Sequence, residues 1–141
     1  MWLRLVPLFL AAATAPAAAG KYEGPATAAV ERVVDGDTVR VRVGVWIDQE
    51  LSVSVRVAGV DAPELFRSKC EDEKAKARLA KSFVEDFLEG GRATLTNIKR
   101  GKYAGRVVAR IEADGRDLGD ALIAAGLAVR ETRGAWCAVG G

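Results

Sequence analysis

The sequence contains no histidine, although it is 141 residues long. This absence excludes Ser-His-Asp and Cys-His catalytic groups, His-rich zinc sites and haem held by a histidine ligand. Acid–base chemistry and metal binding must therefore depend on aspartate and glutamate. Because carboxylate oxygens prefer hard cations, a bound metal is expected to be an oxygen-loving ion.

The chain also lacks internal repeats and low-complexity linkers. Half of its residues are hydrophobic and 28% are charged, which is a globular composition with enough apolar side chains for one core. This composition excludes long disorder, a collagen-like chain and a protein with several membrane spans. We predict that residues 20–141 form a single domain, since the length suits one domain only.

The amino-terminal hydrophobic run is shorter than a typical membrane span. It covers residues 5–13 after a single charge at Arg4, whereas a spanning helix needs about 20 apolar residues. A basic start, a short apolar stretch and Ala17-Ala18-Ala19 are typical of a secretory signal. We predict that residues 1–19 are a signal peptide, so that the protein is exported (periplasmic or secreted) without membrane insertion after cleavage. An uncleaved membrane anchor is the alternative.

There are only two cysteines, Cys70 and Cys137. In an exported chain they predict one disulfide, with two unrelated thiols as the alternative. The bond would hold the segment after Arg130, which has neither helical nor strand periodicity, against the start of the first predicted helix.

Acidic residues are absent from residues 92–110, although the formal net charge of the chain is only +2. Six basic residues lie there: Arg92, Lys99, Arg100, Lys102, Arg106 and Arg110. The sequence favours two interpretations equally, a solvated basic strand edge and a surface that faces phosphates.

Alternation of apolar and polar residues indicates β-strands, most clearly in two segments that would form a long hairpin. The five predicted strands are residues 28–34, 39–45, 51–57, 93–98 and 106–111. Arg56 lies in the polar phase of the third strand, so we expect its side chain to point away from the apolar face.

Two segments have helical patterns instead. In residues 71–88 one apolar stripe is predicted, formed by Ala75, Leu79, Phe83 and Phe87 with Ala80, Val84 and Leu88 beside them. The second helix is predicted from a cap at Asp117 to a stop at Gly126. The order of elements predicts a mainly β, α+β fold: a five-stranded OB-fold barrel with a helix between strands 3 and 4 and a second helix after strand 5.

Two acidic motifs, Asp35-Gly36-Asp37-Thr38 and Asp61-Ala62-Pro63-Glu64, lie at predicted strand ends. Each motif alone is compatible with a simple turn or strand end. Together with Arg56 they supply oxygen ligands for a hard cation, a spare base and a guanidinium for an oxyanion. Phosphodiester hydrolysis requires these groups.

These motifs resemble those of the staphylococcal nuclease (thermonuclease) family in type, order and spacing. The matching segments are residues 34–39, 56–64 and 105–109, followed by residues 115–122 and 125–128, which look like the closing helix of that family. The resemblance covers residues 28–130 and implies an OB barrel with helices. It further implies a calcium-dependent endonuclease that hydrolyses DNA and RNA with low sequence specificity.

The resemblance also implies roles for individual residues. Three positions would bind one calcium ion: Asp37, Asp61 and the main-chain carbonyl of Ala62, where the family often has threonine. Glu64 would orient or deprotonate the attacking water. Arg56 and Arg106 would hold the scissile phosphate and stabilise its charge in the transition state.

Two segments depart from the family pattern. One extra residue precedes Arg106, and Gly101 stands where the family has an acid, although Lys102 and Tyr103 are still expected to bind the substrate. Residues 130–133 replace the later tyrosines of the family, which removes a stacking surface for a base.

Two other functions are alternatives to the nuclease. A catalytically silent OB-fold module could bind nucleic acid or a protein, and a calcium-stabilised domain could be purely structural. Neither function requires the acidic residues together with both arginines, so the sequence favours the nuclease, which we expect to be a monomer.

Overall fold

A computed structural model of the protein describes residues 20–130 and 134–137. The predicted signal peptide, residues 1–19, lies outside the described residues. The elements are β1 (Lys21–Tyr22), β2 (Ala26–Asp35), β3 (Thr38–Trp46), β4 (Gln49–Val57), β5 (Val60–Asp61), α1 (Glu71–Phe87), β6 (Arg92–Arg100), β7 (Arg106–Ala113), β8 (Arg116–Asp117), α2 (Leu118–Ala124) and β9 (Val129–Arg130). Within the described ranges no helix has the length and apolar character that a membrane span requires.

Five strands close into a barrel. The strands β6, β2, β3, β4 and β7 are neighbours in that order, and β6 also pairs with β7. The β4–β7 pair is parallel, whereas the other four pairs are antiparallel. The largest side chains fully buried inside the barrel include Val39, Val41, Val55, Leu95 and Ile111. The predicted five-stranded barrel, with one helix between its third and fourth strands and another after its fifth, is confirmed.

The β3–β4 hairpin is longer than the barrel is deep. Val39 pairs with Val55 in the core, but towards the tip Val45, Trp46 and Leu51 are exposed. The alternation of apolar residues continues past the core. The predicted apolar face is therefore buried only along the inner half of the hairpin.

Helix α1 buries part of the predicted stripe, Ala80 and Val84 with Leu88 just after the helix, but not all of it. Its buried residues are Glu73, Ala77, Ala80 and Val84, whereas Ala75 is exposed and Leu79 is 61% exposed. Residues spaced by four drift around a helix by about 40° per step, so the row that includes Leu79 winds away from the barrel. Phe83 and Phe87 are half-buried and pack against the core.

The helix starts are fixed by side-chain caps and a disulfide. The Asp117 carboxylate accepts the Asp120 N–H at 2.8 Å, as expected for the predicted cap of α2. Cys70 caps α1 and forms the predicted disulfide with Cys137, with the two Cα atoms 6.0 Å apart. This bond attaches residues 134–137 to the start of α1.

Candidate functional site

The turn between β2 and β3 holds a buried carboxylate. Asp37 is only 4% exposed. Its Oδ1 accepts the Thr38 hydroxyl at 3.1 Å, and its Oδ2 accepts the Ala62 N–H at 3.1 Å. Because one aspartate contacts both segments, the two acidic motifs of the sequence lie against each other in the fold.

Gly36 allows this turn to approach helix α1. A Cβ atom at this position would lie 2.6 Å from the Ala80 Cβ and 3.1 Å from the Ala62 Cβ. Both distances are shorter than ordinary contacts, so only glycine fits without movement of the turn or the helix.

Gly36→Ala should therefore lower the free energy of unfolding by about 1–3 kcal/mol, the usual cost of overpacking. Urea denaturation measures the effect. Gly44→Ala is the matched control, because a Cβ at Gly44 meets nothing within 4 Å and we expect a change within about 0.5 kcal/mol. Equal stability of the two variants would show that the turn can move away from α1.

Arg56 joins the two predicted calcium ligands. Its Nη1 lies 3.0 Å from Asp37 Oδ2, and its Nη2 lies 3.4 Å from Asp61 Oδ1. The Nη2 group also donates to the Val60 carbonyl at 3.3 Å. As the sequence pattern predicted, the side chain of Arg56 lies outside the core, where about 30% of it is exposed. One guanidinium thus forms ion pairs with both carboxylates, and its single positive charge offsets only part of their negative charge.

Asp35 is a site residue that sequence analysis missed. Its pKa is raised to about 7, first by burial of the carboxyl group and then by the negative charges of Asp37 and Glu64. The three acids therefore share a region of negative potential. The sequence motif Asp35-Gly36-Asp37 contains this residue, but the family resemblance assigns a ligand role to Asp37 only.

The acidic residues fit a hard cation. Asp35, Asp37 and Asp61 offer only oxygen donors, which is the donor set that calcium prefers. Burial first, and then the negative charges of Asp37 and Glu64, raise the pKa of Asp35, and a cation bound beside these acids would favour their charged forms. In the described part of the chain, the potential ligand atoms of Cys70, Glu73 and Cys137 also lie within 4.8 Å of one another. The two sulfurs of this group form the disulfide and cannot act as thiolate ligands.

The two predicted arginines lie on the same outer face of adjacent strands. Arg106 pairs with Ser54 across the parallel β4–β7 ladder, and Arg56 pairs with Val108. Arg56 and Arg106 are thus diagonal neighbours, with Cα atoms about 8 Å apart from strand geometry. From Cα positions this close, two arginine side chains on the same face are long enough to reach one phosphate.

Tyr103 supports the guanidinium of Arg106. The ring centre lies 5.6 Å from Arg106 Cζ, and Arg106 Nη1 is 3.4 Å from the phenolic oxygen. Tyr103 and Lys102 are exposed in the loop between β6 and β7, and both line a concavity of about 740 Å³. The structure therefore places both predicted substrate-binding residues beside Arg106.

A buried carboxylate fixes the loop that carries Glu64. Glu73 is 5% exposed. Its Oε1 accepts the Glu64 N–H at 3.2 Å and its Oε2 accepts the Lys69 N–H at 2.7 Å. Sequence analysis assigned Glu73 only to an acidic first helical turn, because no local pattern shows contacts with a loop nine residues upstream.

Residues 134–137 form one wall of the site. The Gly134 N–H donates to Asp61 Oδ2 at 2.9 Å. Trp136 is half-buried, with Lys76 Nζ 5.6 Å from its ring centre, and it lines a cavity of about 240 Å³ together with Glu64 and Asp61. The disulfide of Cys137 thus holds this segment next to the acidic residues.

A family model described as staphylococcal nuclease homologue matches residues 54–135, which is more than half of the chain. The matched range includes Arg56, Asp61, Glu64 and Arg106, and the Asp35–Asp37 turn precedes it. Comparison with curated proteins gives no match.

Proposed function

Because the chain belongs to the staphylococcal nuclease homologue family, we propose that it is a calcium-dependent nuclease that hydrolyses DNA and RNA with low sequence specificity. The observation that carries the proposal is the position of Arg56, which contacts Asp37 and Asp61 and neighbours Arg106 on the outer face of the barrel. This arrangement provides anionic groups for a cation directly beside cationic groups for a phosphate. A binding module would need only the second.

Members of this family are typically metal-dependent, and we propose that calcium binds at the acidic residues. The ligands would be Asp37, Asp61 and the main-chain carbonyl of Ala62, with the Asp35 carboxyl close by. Bound calcium would supply positive charge that polarises water and phosphate oxygens. It would also take over the neutralisation of Asp37 and Asp61, so that Arg56 becomes available to the substrate.

The side chains of this protein would then divide the reaction between them. Glu64 accepts a proton from water as the water oxygen forms a bond to phosphorus, and the ester P–O bond breaks on the opposite side. That proton, or one from solvent, passes to the leaving oxygen. Arg56 and Arg106 hold the phosphate in line and stabilise the negative charge that accumulates on its free oxygens.

Digestion of single-stranded DNA and of RNA by the purified protein tests this function. We expect cleavage of both polymers with calcium and none after addition of a chelator. Binding of either polymer without cleavage in calcium would contradict the proposal and favour a silent binding module.

Asp37 and Glu64 should respond differently to substitution. Asp37→Asn should weaken calcium binding by on the order of tenfold or more, because it removes a charged ligand. Glu64→Gln should leave calcium binding intact and lower the cleavage rate by about 10²-fold, because it removes the proton acceptor. Calorimetric titration of calcium into each variant measures the first effect, and cleavage rates at saturating calcium measure the second. An equal loss of calcium binding in the two variants would make Glu64 a ligand.

We further propose that the protein is exported and acts as a monomer. The support is the signal-like pattern of residues 1–19 together with the Cys70–Cys137 disulfide, since disulfides persist in oxidising compartments. The mass of the protein recovered after expression in a secreting host tests this, with a mature chain beginning at Gly20 expected. An uncleaved chain retained in the membrane fraction would contradict it.

A further inference from the structure

The open end of the barrel has an apolar floor. Val53, Ile98 and Val107 pack against the core and line the concavity of about 740 Å³ that also contains Tyr103. Val53 lies four residues before Val57 on β4, so the floor is about 13 Å from the end of the strand where the acidic turn packs on α1. We call this concavity the barrel mouth.

Two exposed tyrosines lie at the barrel mouth. Tyr22 is 59% exposed and Tyr103 is 61% exposed. Strand β1 pairs with β6 so that Tyr22 lies opposite Ile98, a residue of the floor. The ring of Tyr103 is engaged by Arg106, whereas no ring contact or hydrogen bond of the Tyr22 side chain is found among the described residues. Tyr22 therefore offers an aromatic surface to a ligand.

The rim of the barrel mouth is basic. Lys21, Lys99, Arg100, Lys102 and Arg106 line it, and none of its described lining residues is an aspartate or a glutamate. Lys21 pairs with Glu23, which lies next to Tyr22 in the chain. Ion pairs in the described part of the chain do not involve Lys99, Arg100 or Lys102. The positive charges of these three residues thus complement a polyanion and are not consumed by internal pairing.

We propose that the barrel mouth binds the unpaired base of the nucleotide next to the scissile phosphate, stacked on Tyr22 over the apolar floor. The inference rests on the proposed nuclease function. Arg106 lies both at the mouth and beside Arg56, so a strand whose phosphate contacts the two arginines brings a neighbouring base to the mouth. Stacking accepts any base, and it requires a base free of its partner strand, so the site selects single-stranded substrate without reading sequence.

Binding without cleavage tests the inference. The probes are a short fluorescein-labelled oligothymidylate and a labelled chain of equal length and charge that carries abasic spacers. Fluorescence anisotropy is measured in a chelator, which prevents hydrolysis. We expect the wild-type protein to bind oligothymidylate about tenfold more tightly than the abasic chain, the scale of one stacked base. Tyr22→Ala should abolish that difference and Tyr22→Phe should retain it.

Two further variants separate stacking from other effects. Trp46→Ala removes an aromatic ring that is 76% exposed at the hairpin tip and does not line the mouth, and it should leave the difference unchanged. Arg100→Gln should weaken both probes to the same extent, because it removes a phosphate contact and no stacking surface.

The inference is overturned if the wild-type protein does not distinguish the two probes, or if Tyr22→Ala distinguishes them as well as the wild type does. The nuclease proposal fails separately, by the absence of cleavage in calcium. Suppose that the protein binds oligothymidylate more tightly than the abasic chain, that this difference depends on Tyr22, and that no cleavage occurs in calcium. The base site would then be supported and the nuclease function contradicted.

Discussion

Arg56→Lys and Arg106→Lys should each lower the turnover of nucleic acid by about 10²-fold or more while the fold is retained. This loss corresponds to about 2.7 kcal/mol of transition-state stabilisation. Lysine keeps the positive charge but lacks the planar two-point fork with which arginine contacts two phosphate oxygens. Without calcium, Arg56 contacts Asp37 and Asp61 through separate nitrogens, a two-point contact that a single ammonium cannot reproduce.

Arg42→Lys is the matched control. Arg42 lies on the outer face of β3 and contacts Glu31 and Glu50, away from the acidic residues, so its turnover should equal that of the wild type. Initial cleavage rates at saturating calcium measure the effects, and urea denaturation checks that each variant is folded. Near-wild-type rates for both Arg56→Lys and Arg106→Lys would disprove the phosphate-binding roles.

Loss of the disulfide should be the largest single change in stability. The bond closes a loop of 67 residues, for which the chain-entropy model gives roughly 4 kcal/mol as an upper value. This is a large share of the free energy of unfolding of a typical domain, which is roughly 5–15 kcal/mol. We expect the double variant Cys70→Ser, Cys137→Ser to lose up to that amount in urea denaturation, and to lose activity as well, because Gly134 is no longer held against Asp61.

The response to a reducing agent provides the control for this prediction. Reductant should destabilise the wild-type protein and leave the double serine variant unaffected, since the variant has no bond to reduce. Thiol counting on the denatured, unreduced protein should detect no free thiol. Two free thiols would contradict the disulfide and weaken the proposal of export.

The barrel strands were predictable from the sequence because their apolar residues alternate and face one core. Strands of two residues, such as β5 and β9, were not predicted, because two residues carry no periodicity and these strands form only when their partners meet. The same limit explains Leu79, which shares a spacing of four residues with Phe83 but is exposed. Spacing locates a helix, whereas the angle at which it meets the barrel decides which side is buried.

For the candidate site, residue types and motif order indicated Asp37, Asp61, Arg56 and Arg106. The structure places Arg56 within ion-pairing distance of both Asp37 and Asp61. Glu73 could not be found in this way, because its function is to accept two backbone N–H groups of a loop that only the fold brings near. A charged residue whose role is to hold a distant loop in place is not marked by any local sequence motif.

The loop between β6 and β7 can change without changing the distance between Arg56 and Arg106. The Gly101 N–H donates to the Arg106 carbonyl at 2.9 Å, which closes the loop, and a Cβ at Gly101 would lie 2.6 Å from that oxygen. The parallel β4–β7 ladder fixes Arg106 relative to Arg56, so the extra residue that precedes Arg106 is accommodated inside the closed loop. Evolution or engineering can therefore lengthen and redecorate this loop to change which nucleic acids are held, while the distance between the two arginines stays constant.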